Sequence, residues 1–411
     1  MRDALRQRLI EAMQEMPVID AHEHLPPESE RLAMDVDVLT LFSHYTQTDL
    51  ESAGMTQEQY DRTQDASVPL DERWELFEPF YERIKFGSYA RAARIAARHF
   101  YGADIGRDTY QAVSERMKQA NKPGLYRRVI RDACNIKVCL TQIGRIPERN
   151  KALLVPVLPI ASLTGGGEVA AMQKSAEAVG VELKMLADYD EVLEGLLADL
   201  KRKGVVGFKT LSDELADPTP GTAVQAFQEG LKGRSYDRAL LDAYLTHRAF
   251  DAIGAADLVV AVHCGIIWDN WNDFYALRPR NMVPKLLKHR NTRFDLYHAA
   301  IPWVREIAVI GKELPNAYLN MCWCHVISQQ MSISALDEWL DLVPVNKIAG
   351  FGGDYHRPVE KIYGHLVMAR EDIAAVLARR VGDKQMTFGE AVSLARMLLF
   401  DNPRELYRLD V

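Results

Sequence analysis

Eight short apolar runs recur along the chain. They are PVIDAHEH (17–24), NIKVCLTQ (135–142), LLVPVLPI (153–160), GVVGFKTL (204–211), LVVAVHCG (258–265), TRFDLYHA (292–299), AYLNMCWC (317–324) and NKIAGFGGD (346–354). From the third onward each is followed by a stretch of helical character, such as SYDRALLDAYLTHRAFDAIGAA at 235–256. Continuous apolar runs alternating with helices imply parallel strands buried on both faces. Eight such units predict an α/β fold, a (β/α)8 TIM barrel. The spacing is uneven, because a long segment separates the first two runs. Its sequence, including DERWELFEPFYERIKFGSYARAARIAARHFYG (71–102) and DTYQAVSERMKQA (108–120), reads as helix. Structureless loops of that length are rare. The prediction is a helical insertion between strands 1 and 2, over approximately 28–130, packed on one end of the barrel. No linker, repeat or low-complexity tract divides the chain, so residues 1–411 are read as a single domain.

Composition narrows the class. The 411 residues are 48% hydrophobic, enough for a large core, and the net charge is −7. That balance argues against a nucleic-acid partner and suits an enzyme acting on a small molecule. The five cysteines, Cys134, Cys139, Cys264, Cys322 and Cys324, have mostly apolar neighbours and read as reduced core residues. Cys322 and Cys324 do not have zinc-ribbon spacing. The start, MRDALRQRLIEAMQEM, reads as a charged amphipathic helix and not a signal peptide. No apolar run is long enough to cross a membrane. The expectation is a cytoplasmic enzyme with no membrane partner; a homo-oligomer is compatible with the sequence.

The strand ends carry the chemistry. The first run ends in His22 and His24, and residues i and i+2 of a strand share a side. The fourth carries Lys209, the fifth ends in His263, the sixth in His298 and the eighth in Asp354. In a parallel barrel all carboxyl ends surround one mouth, where active sites lie. Each residue is a metal ligand or acid/base candidate. A catalytic divalent ion needs a few nitrogen and oxygen ligands and an open position. Neutral imidazoles preserve its charge, which lowers the pKa of bound water from about 15.7 toward about 7. A carboxylate such as Asp354 can then accept and pass on a proton.

The DAHEH segment, followed in order by His263, His298 and Asp354, resembles the amidohydrolase superfamily, in particular its family 2. The insertion and the ending GGDYHRPVEKIYGHLVMARE…FDNPRELYRLD further resemble uronate isomerases and nodulin-related amidohydrolase domains. The likeness spans nearly the whole chain. It implies that His22 and His24 bind metal, with Asp354 as ligand or proton shuttle. His263 would be a further ligand, as in decarboxylase-like members, and His298 a substrate-facing acid/base. In uronate isomerases the metal set is mainly the His-X-His pair and the aspartate. Binuclear members carry a carboxylated lysine on strand 4, so Lys209 is either a metal bridge or a free group that binds substrate. Histidine and carboxylate ligands suit Zn2+, with Mn2+, Fe2+ and Co2+ as alternatives.

Other residues carry less. Glu23 should point away from the histidines and act structurally, whereas Asp20 shares their side and either orients an imidazole or supports the barrel floor. Arg357, His356 and Trp303 follow strand ends and are candidate substrate contacts; Arg357 suits a carboxylate. Its DYHR context sets it one position later than the Asp-Ser-Arg of uronate isomerases. His325, Trp268 and Trp271 also follow strand ends, where loop or core packing competes with a role at the mouth. The arginines near 91–98 and 127–128 read as solvated helix faces.

The leading expectation is a metal-dependent hydrolase, with metal-activated water attacking an amide, lactone or ester carbonyl of a small carboxylated substrate. The alternatives are aldose–ketose isomerisation of a sugar acid and non-oxidative decarboxylation. One fold and one metal cradle serve all three.

Overall fold

The computed structural model describes residues 2–148 and 152–411. All eight apolar runs contain a strand: β1 (Val18–Glu23), β2 (Ile136–Thr141), β3 (Leu154–Pro159), β4 (Gly207–Leu211), β5 (Val259–His263), β6 (Arg293–Leu296), β7 (Ala317–Asn320) and β8 (Ile348–Ala349). They pair in parallel in the order β1 to β8. Beyond its two residues, the β8 segment continues to pair through loop backbone. Trp323 N donates to Gly352 O on one side. On the other, Ala21 N donates to Phe351 O (3.2 Å), Asp354 N to His22 O (2.9 Å) and His24 N to Tyr355 O (3.1 Å). These bonds bring the ends of the sheet together and nearly close the barrel. They also place the peptide of Asp354 directly on that of His22.

The register of β1 against β2 slips twice, between Val18 and Ile19 and again at the mouth. Asp20 faces Cys139 and Glu23 faces Thr141, so three steps on one strand match two on the other. That is a one-residue bulge, a device that re-aims side chains near active sites.

Helices pack outside the strands because their apolar positions repeat at helical spacing. In Arg238–Ala255, Asp237 caps the start by accepting from Leu240 N, and Leu241, Leu245 and Ala249 line one buried face. They join Val260, Val262, Phe294 and Leu296 in the main core.

Between β1 and β2 lie the helices Glu28–Leu32, Thr46–Ser52, Gln57–Gln64, Leu70–Ile84, Ser88–Tyr101 and Tyr110–Ala120. They form a second apolar cluster around Phe42, Trp74, Phe77 and Tyr81. Trp74, Phe77, Tyr81 and Ile84 make one face of their helix. The helix Ser88–Tyr101 lies against Glu360–Gly382, the helix after β8. Gly364 permits this approach, since a Cβ there would collide with the Ala92 carbonyl. Buried Arg31 locks the junction: it pairs with Glu360 (3.0 Å) and donates to Asn121 Oδ1 (2.7 Å) and Arg357 O (2.9 Å). Tyr101 Oη donates to the same Glu360 (2.8 Å).

All five cysteines are free and buried. Among the described residues no helix is long and apolar enough to cross a membrane.

Candidate metal centre and active site

The seam between β1 and β8 builds the centre. Nε2 of His22 and Nε2 of His24 each lie 3.3 Å from Asp354 Oδ1. One donor atom from each residue falls within 4.8 Å of the others, the sole such group among the described residues. His24 is oriented by its other nitrogen, Nδ1, which lies 2.7 Å from Gln142 O. With the proton on Nδ1, Nε2 keeps a free lone pair toward the centre. Burial, with the Lys209 charge adding to it, pushes His22 down to about 3 and keeps that ring neutral. Two imidazoles and a carboxylate, buried or half-buried and convergent, are the donor set a divalent cation requires, and they fit one.

His263 and His298 reach the same mouth but not the same point. His298 Nε2 is 3.0 Å from His263 Nδ1, and His263 Nε2 is 2.9 Å from Ile266 O. His298 Nδ1 lies 3.4 Å from Cys322 Sγ and 3.8 Å from Asp354 Oδ2. His263 Nε2 donates to Ile266 O, while the proton of His298 sits either on Nε2 toward His263 or on Nδ1 toward Cys322 O at 3.2 Å. Burial keeps the Cys322 thiol protonated, raising it well above its usual value. Burial also lowers His263 to about 4. His263 therefore lies outside the convergent set, with its two nitrogens facing His298 and Ile266 O.

Lys209 projects between the groups. Its Nζ is 3.4 Å from His22 Nε2 and 4.0 Å above the Tyr297 ring. Burial lowers it to about 8, so it still carries charge near neutrality.

The insertion adds residues that strand ends could not announce. Tyr45 Oη donates to Asp354 Oδ1 at 2.7 Å. Its ring lies 4.3 Å from Trp323, whose indole reaches His298 at 5.2 Å. His44 stands 3.8 Å from Tyr45, 5.5 Å from Trp268 and 6.1 Å from His356. Burial holds His44 at about 3, hence neutral. Positive φ occurs at His44 (64°), His298 (63°), Trp323 (67°) and Asp354 (63°). Such backbone is costly for residues with a Cβ and clusters at functional sites.

The bulge redirects Asp20. Its Oδ1 accepts from His22 N (3.3 Å) and Gly353 N (2.9 Å), not from an imidazole ring. Its carboxyl meets that of Glu23, and burial raises Asp20 to about 7 and Glu23 well above its usual value. Glu23 Oε2 accepts from Tyr355 N at 2.6 Å, stitching β1 to the β8 loop. The pair thus supports the centre from behind.

The remaining candidates separate. His356 and Arg357 are exposed at the rim. Trp303 packs against Phe274 and Tyr275, at 5.9 and 5.6 Å. Trp268 is 40% exposed and Trp271 fully so. His325 is buried between Asp372 (2.9 Å) and Gly350 O (3.0 Å) as part of the packing. Arg91 pairs with Glu371, and Arg94 and Arg98 pair with Asp104.

The fold and centre together define the class. The amidohydrolase family model (Amidohydro_2) matches residues 172–409, more than half of the sequence, and the chain belongs to this family. Its fold is shared along nearly the whole length with three solved structures. A uronate isomerase from Thermotoga maritima aligns with TM-score 0.78 and 15% identity, over 98% of this chain and 97% of that one. A glucuronate isomerase from Caulobacter crescentus gives 0.76 and 18%, over 100% and 95%. A Lactobacillus casei protein described as a metal-dependent hydrolase gives 0.63 and 17%, over 97% of each. At these identities the likeness is one of fold. No curated protein sequence matches the chain.

Proposed function

We propose that this chain is a metal-dependent isomerase that interconverts the aldehyde and ketone forms of an open-chain sugar acid. The observation that carries the reading is the Tyr45–Asp354 hydrogen bond beside His22 and His24. It sets a phenol and a carboxylate together at one centre, and the reaction consists of proton transfers between adjacent carbons and between their oxygens. Full-length likeness of fold to two sugar-acid isomerases supports it.

His22, His24 and Asp354 would hold the cation, most simply zinc, with manganese, iron or cobalt as alternatives. When bound, that ion supplies polarisation of the substrate carbonyl and hydroxyl, which acidifies the intervening C–H. Asp354 and Tyr45 form the proton-carrying pair. Asp354 Oδ2, on the side of His298, takes the proton from the hydroxyl-bearing carbon and returns it to the carbonyl carbon. The Tyr45 phenol exchanges protons with the substrate oxygens. Lys209, charged and unmodified, stabilises negative charge as it develops on those oxygens. His263 and His298 line one wall, engaged with each other and with loop carbonyls, instead of ligating. Arg357 and His356 take the carboxylate at the rim.

Hydrolysis remains the second reading, because the same cation and Asp354 would serve an amide, lactone or ester. One experiment separates the two. The metal-loaded enzyme is given glucuronate or galacturonate in deuterated water and followed by NMR. The expected result is a ketose product, with deuterium on the former aldehyde carbon in the proportion by which the proton on Asp354 exchanges with solvent before its return. Turnover of lactones or amides with incorporation of labelled water oxygen, and none of the sugar acids, would replace isomerisation with hydrolysis.

A further inference from the structure

Four arginines are buried among the described residues: Arg31, Arg73, Arg370 and Arg380. Three have a carboxylate partner. Arg31 pairs with Glu360, Arg73 with Asp37, and Arg380 with Asp337 and Asp341. Arg370 is 4% exposed and makes no ion pair among the described residues. One Nη donates to Cys134 O at 3.2 Å, and its buried Nε has no partner. A guanidinium cannot shed its proton as a buried lysine can. Taking such a charge out of water costs several kcal/mol unless an anion answers it.

Arg370 lines a cavity of about 470 Å³ between the insertion and the barrel. The walls come from the helices Arg2–Gln14, Ser88–Tyr101 and Glu360–Gly382 and from the π-helical turn Arg127–Ala133. Arg128 also faces it; this side chain donates only to backbone carbonyls, those of Pro123, Ala120 and Lys122. His99 stacks on Tyr363 at 3.9 Å and closes one side. Asp132 is the one acidic lining residue; it is 58% exposed and lies 3.8 Å from Arg127. The cavity therefore presents two guanidinium groups with unused donor capacity, one of them buried, and room for a small molecule.

We propose that this cavity is a binding site for a small oxyanion, a carboxylate or a phosphate, held by Arg370 and Arg128 at the junction of the insertion and the barrel. It stands apart from the mouth and does not depend on which reaction the centre performs.

Thermal unfolding and calorimetric titration of the full-length, metal-loaded protein test this, with inorganic phosphate and acetate as probes and chloride matching ionic strength. With either probe at ten times its dissociation constant, the folded-to-unfolded ratio should rise about elevenfold in the native protein. Arg370→Met keeps the aliphatic stem and should abolish that response, whereas an anion bound at the metal centre would persist. The same variant in chloride alone should melt no lower than the native protein, because it removes an unanswered charge; a purely structural arginine would leave it less stable. Should Arg370→Met fail to fold, Arg128→Met is expected to weaken binding about tenfold. A response to acetate assigns a carboxylate ligand, and a response to phosphate alone assigns a phosphate; both support the site. No response to either probe in the native protein, an undiminished response in Arg370→Met, or a lower melting point of that variant in chloride would overturn it.

Discussion

Asp354 is held in a left-handed backbone conformation with two imidazoles, a phenol and the neighbouring His298 around one carboxyl group. Asp354→Asn keeps the shape and removes the charge. It should lower bound metal well below that of the native protein, measured by inductively coupled plasma mass spectrometry, with little change in far-UV circular dichroism. Exchanging both His22 and His24 for Ala should abolish metal binding; full retention would refute the centre. Tyr45→Phe removes only a hydroxyl. On the proposed mechanism it should reduce kcat by about 10²–10⁴ with metal content unchanged. His22, His24, His263, His298 and Asp354 each end an apolar run, so their convergence follows from barrel topology. Tyr45 and His44 lie in the insertion, where no strand end marks a direction toward the mouth. The chain linking His298, His263 and Cys322 was equally hidden, because a ring's second partner depends on loop backbone such as that of Ile266.

At the scale of elements, the helix Glu360–Gly382 begins with two buried charged residues that grip the insertion. Glu360 answers Arg31, so Glu360→Gln would leave that guanidinium buried without an anion. The expected loss is about 3–5 kcal/mol, read by urea denaturation. Lys361 donates to Thr46 Oγ1 at 3.1 Å, and burial lowers it to about 7, against the pull of Asp49. The unfolded chain keeps that proton to about 10.5, so between these values it binds more protons than the folded one, and stability rises with pH. Asp49, raised by burial to about 6, titrates below this window. Lys361→Met should therefore stabilise the protein at pH 7 and below, with the gain shrinking toward pH 10 in paired denaturation curves. An equal difference at both ends would remove Lys361 as its source. The strands themselves were legible, since parallel strands buried on both faces read as uninterrupted apolar runs. The bulge in β1 was not. It is a mismatch with β2, and neither sequence contains it alone, which is why Asp20 meets Glu23 although strict alternation sets it beside the histidines.

Across the whole molecule, the insertion has its own apolar cluster yet completes the site and shares buried ion pairs with the barrel. The two should unfold together: urea transitions followed by tryptophan fluorescence, with Trp74 in the insertion and Trp339 in the barrel, should coincide with those followed by circular dichroism. Two separated transitions would show the insertion to be an independent folding unit. The seam that joins β1 to the β8 loop also sets a clock. Glu23 and Tyr355 are 332 positions apart. At about 5–20 residues per second, the two histidines leave the ribosome roughly 20–70 s before the aspartate that faces them. For that interval the growing chain carries an imidazole pair with no carboxylate opposite. Metal capture by the complete site therefore waits until the last strand has emerged, and until then the first strand stands without its β8 partner.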